Sequence, residues 1–546
     1  MKRKAVAAVL TAVMVASMFT GCGSDNGSSS AKSASAASAA SAANDTVDED
    51  GKVNGIMYQE GLPLVDEGDY TFSIFCDDSS ESGEFIMLDE FKKQTNVDVD
   101  LKIYPYETAT ERLNLDLNSG DYADVIGGWT LSDNAILTYG VNQGVFIPLE
   151  DYFEKYCPNI SAILDLPGVR EKMTAPDGHI YTIPYVCTDT TVGYSPYINT
   201  KWLENVGMSM PTTTDEFEAV LKAFKEQDAN GNGDASDEIP FSTDPNNKHI
   251  EAMAGYFGLP MNKLGIAIQD EKVVYGGVSN TYREFLSWFH KLYADGLVDV
   301  ELYTQDSSTW EGKGNQDLYG VSIAYGSNEF TGIPAAEERG DFDSMPVLNT
   351  DKGGIWLRDT EGFSVYRTQA VITNKAEHPE IICRWFDNAF ALENGIGCNR
   401  GPVGVIVNKE DDGYHAIDTT TLSEEDQEKY SWSNLWPQSL PKYLPADFEF
   451  VEEHPMYDEK KATEEAYEAN LTKEIIPSYW IDLDKIDTFS DTNTAIKDFF
   501  EQQQAQFVCG ELDIDNDADW QAYVDGMYSL GLEDWVATQG IEEIAK

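Results

Sequence analysis

The sequence predicts an α/β fold built on a largely parallel sheet, in a chain long enough for two or three compact lobes. Three observations point there. Between Tyr70 and Ile126 the apolar period switches from two to 3.6 and back, giving strand, helix, strand, helix, strand. After a polar N-terminal stretch, roughly 480 of the 546 residues remain. The chain is 42% hydrophobic and 12% aromatic, enough for packed cores despite a net charge of −59.

The first element is a leader. Lys2, Arg3 and Lys4 form a basic head, and residues 5–19 are apolar apart from Thr11 and Ser17. That run is shorter than the ~20 residues a membrane-crossing helix needs. It ends in Phe19, Thr20, Gly21 and Cys22. The segment resembles a bacterial lipoprotein signal, with residues 1–21 removed and Cys22 lipidated as the new N-terminus. Phe19 stands where that pattern usually has leucine. An ordinary secretion signal and an uncleaved anchor are the alternatives. Residues 27–43 are almost all Ser, Ala and Gly, with Lys32 the one charge, and residues 44–67 are acidic and polar. Residues 22–68 are therefore expected to be a flexible tether of ~44 residues, spanning roughly 35–40 Å root-mean-square. The body then works outside the cell, close to the membrane.

In the body, residues 70–75 alternate as a strand, and residues 84–95 place Phe85, Leu88 and Phe91 at helical spacing. Residues 97–104 alternate again. Leu113 and Leu117 mark a helix that stops near Gly120, and residues 123–126 read as a short buried strand. Thr213 to Glu216, after Pro211, is a capping box opening a helix with Phe217, Val220, Leu221 and Phe224 on one face. Residues 282–293 form an amphipathic helix with Phe285, Phe289 and Leu292 inward. Residues 370–373 read as a strand, Pro379 opens a helix, and the chain from about Thr463 is mostly helical.

The sharpest local motif runs from Asp228 to Glu238. Oxygen side chains at loop positions 1, 3 and 5 (Asp228, Asn230, Asn232) and glycine at 6 (Gly233) match the front half of an EF-hand loop. Asp234 at position 7 offers its carbonyl, and Asp237 or Glu238 closes the shell. Position 12 is Ile239 rather than Glu, and Pro240 disfavours an exiting helix. The expectation is a structural Ca2+ site in another fold; a metal-free Asn-Gly turn is the alternative.

Composition excludes some functions. Ninety-six acids against 37 bases repel phosphate backbones, so no nucleic acid is expected, and polyanionic ligands are disfavoured. Cys76, Cys157, Cys187, Cys383, Cys398 and Cys509 form no C-x-x-C motif, leaving free thiols or disulfides open. No HExxH, GxSxG or GK[ST] motif occurs, and the six histidines lack metal or triad spacing.

Several stretches together resemble the extracellular solute-binding lipoproteins of ABC importers, of the type that includes alginate- and oligosaccharide-binding proteins. They are DVIGGW at 124–129, YTIPY at 181–185, KWLENVG at 201–207, PTTTDEF at 211–217 and the cation loop ending in DEIP at 237–240. AVIT at 370–373, HPE at 378–380, FVCGE at 507–511, WQAYV at 520–524 and Gly531-Leu532 continue the order. The resemblance implies two α/β lobes joined by a hinge, with ligand in the cleft between them and a helical C-terminal part. Lobe 1 would comprise residues 69–190 with about 366–435, and lobe 2 residues 191–365 with about 436–546. The chain would leave lobe 1 near 186–195 and return near 365–371. The partners implied are a carbohydrate and the permease subunits; a monomer is expected.

Sugars offer weakly apolar faces to aromatic rings and hydroxyl edges to polar groups. Trp129 after a Gly-Gly, Tyr185 before the crossover, Tyr325 and Asn328 in a strand-to-loop segment, and Trp356 and Trp432 are the candidates. Each aromatic could instead be core. Asn199 stands where many relatives carry arginine, which argues, with the charge, for a neutral sugar. A peptide or other solute, a carbohydrate-active enzyme and a surface adhesin are the rival functions.

Overall fold

The computed structural model describes residues 45–78, 84–188, 190–244, 249–332, 341–445, 448, 450–451 and 455–545, except the side chains of 107, 188, 420, 455–458, 487 and 491. The leader, Cys22 and the tether up to residue 44 lie outside them. Residues 45–68 are not tether, contrary to expectation. Val53, Met57, Leu64 and Val65 are buried, and Lys52–Val53 pairs with Met57–Tyr58. Leu64 N–H donates to the Thr95 carbonyl at 2.9 Å, and Arg384 donates to the Gly61 carbonyl at 2.9 Å. The acidic composition of this stretch hides four apolar anchors.

The alternating segments form β1 (Tyr70–Asp77) and β2 (Val97–Tyr104), with α1 (Ile86–Thr95) between them. After α2 (Tyr106–Ser119), which ends at left-handed Gly120, comes β3 (Val125–Gly127). The chain runs through β4 (Tyr185–Thr188) into β5 (Ser195–Asn199), α3 (Thr214–Glu226), β6 (Ile239–Thr243), α4 (Asn280–Ala294), β7 (Tyr319–Ala324) and β8 (Phe342–Ser344). It returns through β9 (Phe363–Tyr366) to β10 (Ala370–Ile372) and α5 (Pro379–Ala389).

Two sheets result. The first has the order β10-β3-β1-β2, with β1, β2 and β3 parallel and β10 antiparallel to β3. The second has the order β8-β5-β7-β6, with β6 and β7 parallel. The outgoing β4 and returning β9 pair antiparallel, Tyr185 opposite Tyr366, as a two-stranded ribbon.

Each sheet buries its apolar face under helices. Phe91 of α1 and Trp385 of α5 pack edge-on at 5.5 Å, and Trp385 stacks on Trp436 at 5.7 Å. Trp436 and Leu440 are fully buried in this first core, so it extends past the expected 435. On α3, Thr213 Oγ1 accepts Glu216 N–H at 3.2 Å, while Glu216 reaches back to Thr212 N–H at 2.9 Å, one residue earlier than a standard capping box. Three of the four apolar positions on that helix, Phe217, Leu221 and Phe224, are fully buried.

The C-terminal part is helical: α6 (Pro455–Tyr467), α7 (Ile486–Cys509), α8 (Asp517–Ser529) and α9 (Leu532–Thr538). Helix α7 packs along α4, and Glu543–Ile544 adds a parallel strand to Lys272–Tyr275. The segment before α7 also reaches the first lobe. Tyr479 O accepts from Arg367, and Trp480 Nε1 donates to Lys172 O. Cys76, Cys157, Cys383, Cys398 and Cys509 are free thiols, only Cys509 being exposed. No described helix is long and apolar enough to cross a membrane.

Candidate ligand cleft and cation loop

In open α/β sheets ligands gather at the carboxyl ends of the strands. In the first sheet, β1 and β3 end side by side at Asp77 and Gly127. The chain turns at Gly128, whose φ is +130°, and an added Cβ would lie 2.3 Å from Asp77 Oδ1. Only glycine fits there. The buried Asp77 carboxylate accepts Trp129 N–H at 2.9 Å and Thr130 N–H at 2.6 Å. Burial pushes the pKa of Asp77 up, against the pull of these donors. The turn is thus fixed while the Trp129 side projects, 45% exposed. Its ring lies 5.4 Å from Tyr366, edge-on, and 6.3 Å from Tyr185. Tyr185 and Tyr366 face each other across the ribbon, rings 5.4 Å apart. Tyr366 was missed in the sequence because only strand pairing brings it beside Tyr185.

The loop holding Trp432 is tied to the end of β1. Gln438 N–H donates to Asp78 at 2.7 Å, its side-chain amide donates to Trp432 O at 2.8 Å, and Ser439 Oγ donates to Asp77 O. Trp432 is 47% exposed, with the ammonium of buried Lys442 5.2 Å from the ring centre. Burial lowers Lys442 to a pKa of about 8.

At the matching edge of the second sheet, Tyr325 follows β7. Its N–H donates to Glu329 at 2.9 Å and its carbonyl accepts from Tyr197 Oη at 3.1 Å. The ring is 36% exposed, with Lys460 Nζ 4.0 Å from its centre and Tyr194 edge-on at 6.0 Å. Tyr194 stacks on His249 at 4.0 Å. Burial pushes His249 down to about 3, so its imidazole is neutral, and pushes Glu329 up to about 7. Asn328 begins the short helix Asn328–Thr331 and is half-buried.

Trp356 does not join these rings. It is 1% exposed, packed 5.7 Å from Tyr256 and 5.5 Å from Tyr467. It is a core residue, a correction to its expected place in the cleft. Asn199 is also buried: it caps Thr200–Val206 by accepting Trp202 N–H and donates to Asp317. Its identity therefore argues nothing about ligand charge.

The cation loop joins α3 to β6; its exit is a strand, as Pro240 suggests. Gly233, at φ +95°, turns its N–H to Asp228 Oδ2 at 3.0 Å. Asn230 and Asn232 Oδ1 accept the N–H groups of Asn232 and Asp234, and both side-chain amides donate to Asp237, the shorter contact at 2.7 Å. Glu238 Oε1 accepts Ala229 N–H at 2.8 Å. Asp228 Oδ1 and Glu238 Oε2 are buried with no hydrogen-bond partner among the described residues. Unpaired buried anionic oxygens are costly, and a hard divalent cation satisfies them. Burial, then Asp237 and Asp228, raise the pKa of Glu238. The donor set fits calcium. The other convergent group among the described residues, Glu410, Asp412 and His415, is largely exposed, with His415 paired to Asp412. An open groove of about 720 Å3 beside α4, lined by Phe257, Arg283, Trp288 and Asp515 among others, shares no residue with either aromatic cluster.

Residues 78–395 match the family described as bacterial extracellular solute-binding protein. The chain belongs to that family. It is 31% identical over 411 residues to the fructooligosaccharide ABC transporter substrate-binding protein FusA of Streptococcus pneumoniae serotype 4 (strain ATCC BAA-334 / TIGR4), covering 73% of this chain and 70% of the relative. The structure of S. pneumoniae FusA in complex with kestose matches with a TM-score of 0.75 at 26% identity, covering 86% of this chain and 98% of that one. A FusA EF-hand mutant in complex with fructo-nystose matches with a TM-score of 0.74 at the same identity and coverage. The fold is thus the two-lobed, hinged one of these solute-binding proteins, whose family consists of binding proteins rather than enzymes.

Proposed function

We propose that this chain is the substrate-binding protein of an ABC importer, that it captures a neutral oligosaccharide between its lobes, and that it hands the sugar to a membrane permease. The observation that carries this reading is the pair of half-exposed rings, Trp129 and Tyr325, each on a hydrogen-bonded backbone at the carboxyl edge of a sheet. Rings so mounted lose little freedom when a sugar face stacks on them. Tyr185, Tyr366, Asn328 and Trp432 complete the binding set. The net charge of −59 favours a neutral ligand over a uronate, in keeping with the FusA complexes with kestose and fructo-nystose. Ligand touching both lobes closes the hinge by its greater affinity for the closed state. The chain has no GK[ST] loop, so a separate ATPase drives transport.

Calcium would be held structurally by Asp228, Asn230, Asn232 and Asp237 or Glu238, with the Asp234 carbonyl. The two unpaired buried oxygens and the EF-hand named for FusA support it. Lipid on Cys22 would anchor the monomer to the outer face of the membrane.

Thermal shift and calorimetry on the body with kestose, fructo-nystose, uronate oligomers and peptides, with products followed by chromatography, test this reading. A saturable rise in melting temperature with kestose or fructo-nystose and no product is the expected result. A rise with peptides alone would sink the sugar assignment, and product formation would overturn the binding-protein role.

A further inference from the structure

Helix α6 meets both the Tyr325 platform and the segments that cross between the lobes, and one half-buried cation stands at that junction. Lys460 Nζ donates to the carbonyls of Val192 at 3.2 Å and Gly193 at 2.7 Å, on the outgoing segment beyond β4. The same ammonium lies 4.0 Å from the centre of the Tyr325 ring. Neighbouring residues of the helix repeat the pattern. Glu459 accepts Ser327 N–H at 2.8 Å and Ser327 Oγ at 2.6 Å. Glu464 accepts Thr191 N–H at 2.6 Å and Thr191 Oγ1 at 3.1 Å. The return segment before β9 closes the ring: Asp359 Oδ2 accepts Gly193 N–H at 2.6 Å, and Asp359 N–H donates to Thr191 O at 3.0 Å.

A half-buried ammonium held by backbone carbonyls needs those acceptors, since each one lost leaves its charge less well solvated. The two carbonyls fix the Lys460 head, and the head fixes the inner face of the Tyr325 ring. A backbone change at residues 191–193, where the chain crosses between lobes, therefore moves the acceptors that seat the ring. We infer that Lys460 is a positioning residue that couples the Tyr325 platform to both crossing segments, so that one side chain sets the hinge geometry and the place where ligand stacks. This rests on the cleft reading above.

Four carboxylates face the ammonium: Glu329 from the short helix after β7, Glu459 and Glu464 from α6, and Asp359 from the return segment. Burial outweighs their pull and lowers Lys460 to a pKa of about 8, while Glu329 is raised to about 7. The ammonium is therefore lost as pH rises from 7 to 9.

The test uses the mature chain and Lys460→Met, which keeps the apolar stem and removes charge and donors. Kestose affinity is measured by calorimetry from pH 7 to 9, and amide hydrogen exchange is measured without ligand. The expected results are a Kd at least tenfold higher at pH 7 in the variant and exchange at least tenfold faster at Thr191, Gly193 and Tyr325, with β1 to β3 unchanged. Wild-type affinity should fall between pH 7 and 9, and the variant should be flat. Lys460→Gln, which keeps an uncharged N–H donor group, should fall between the two and serves if the methionine variant does not fold. Binding within twofold of wild type, with unchanged exchange at the three amides, would overturn the inference. Failure of the wild type to bind kestose would count against the ligand, not against Lys460; the three amides then decide alone, faster exchange upholding its role and unchanged exchange ending it.

Discussion

Gly128 shows how a single missing carbon positions a ring. An added methyl would lie 2.3 Å from one oxygen of the buried Asp77 carboxylate, whose two oxygens hold the next two amides. Gly128→Ala should destabilise the first lobe by about 2–4 kcal/mol, from backbone strain plus the broken hydrogen bonds. Urea unfolding measures it, and a loss below about 0.5 kcal/mol would show that the turn can relax. The two tryptophans nearest in expectation should behave oppositely. Trp356→Ala empties a core site and should cost about 3–5 kcal/mol. Trp129→Ala removes a half-exposed ring and should cost about 1 kcal/mol or less, while raising the kestose Kd roughly 10- to 100-fold. Equal effects on both measurements would erase the distinction. In the sequence the two looked alike as aromatics. Trp129 carried a local sign, the Gly-Gly after a strand, whereas the burial of Trp356 depends on Tyr256 and Tyr467 from distant segments. Tyr366 and Lys460 had no local sign at all; pairing across the ribbon and the packing of α6 reveal them.

At the scale of elements, local rules carried far. Alternation placed β1 and β2, a capping residue placed the start of α3, and Gly120 placed the end of α2. Composition misled where few residues decide: residues 45–68 are acidic overall, yet four apolar side chains dock them. The cation loop was legible because its donors are adjacent in sequence. If calcium is bound, chelation should lower the melting temperature, and Asp228→Ala should remove the difference between calcium and chelator. Saturation at a hundredfold excess over Kd corresponds to about 2.7 kcal/mol. No difference in the wild type would return the loop to a metal-free turn. A second element prediction concerns the helix Pro158–Leu164. Asp387 accepts Ile160 N–H at 2.8 Å near its N-terminus, and burial pushes this carboxyl up to about 6. The folded state then holds a proton that the unfolded state, with a pKa of about 3.9, releases. The stabilisation is full below about 3.9 and is lost as pH rises through about 6, by roughly 2–3 kcal/mol. Unfolding free energies from urea titrations at pH 4 to 7 should decline by that much more in the wild type than in Asp387→Asn; parallel curves would contradict it.

For the whole molecule, periodicity yielded an α/β class but not two lobes. β10 joins the first sheet from far along the chain, and β9 finds β4 across the entire second sheet; no window of sequence contains such pairings. The order of motifs carried the architecture instead. Charge, by contrast, is a whole-chain property that the sequence states outright: 96 acids against 37 bases. Salt screens two opposing terms. It weakens ion pairs such as Lys313 with Asp299 at 2.9 Å, and it weakens repulsion among the unpaired carboxylates. Lys313 is mostly buried and little screened, whereas pairs such as Lys473 with Glu271 are exposed and contribute little. With more than twice as many acids as bases, repulsion dominates, and it reaches further than any pair at low ionic strength. The melting temperature in chelator should therefore rise by about 2–5 °C between 10 mM and 300 mM NaCl, where the Debye length falls from about 30 Å to below about 8 Å. Sucrose in place of salt separates screening from exclusion, since it leaves charge repulsion intact. A fall in melting temperature with salt would mean that local ion pairs, not net charge, set the electrostatic balance of the fold.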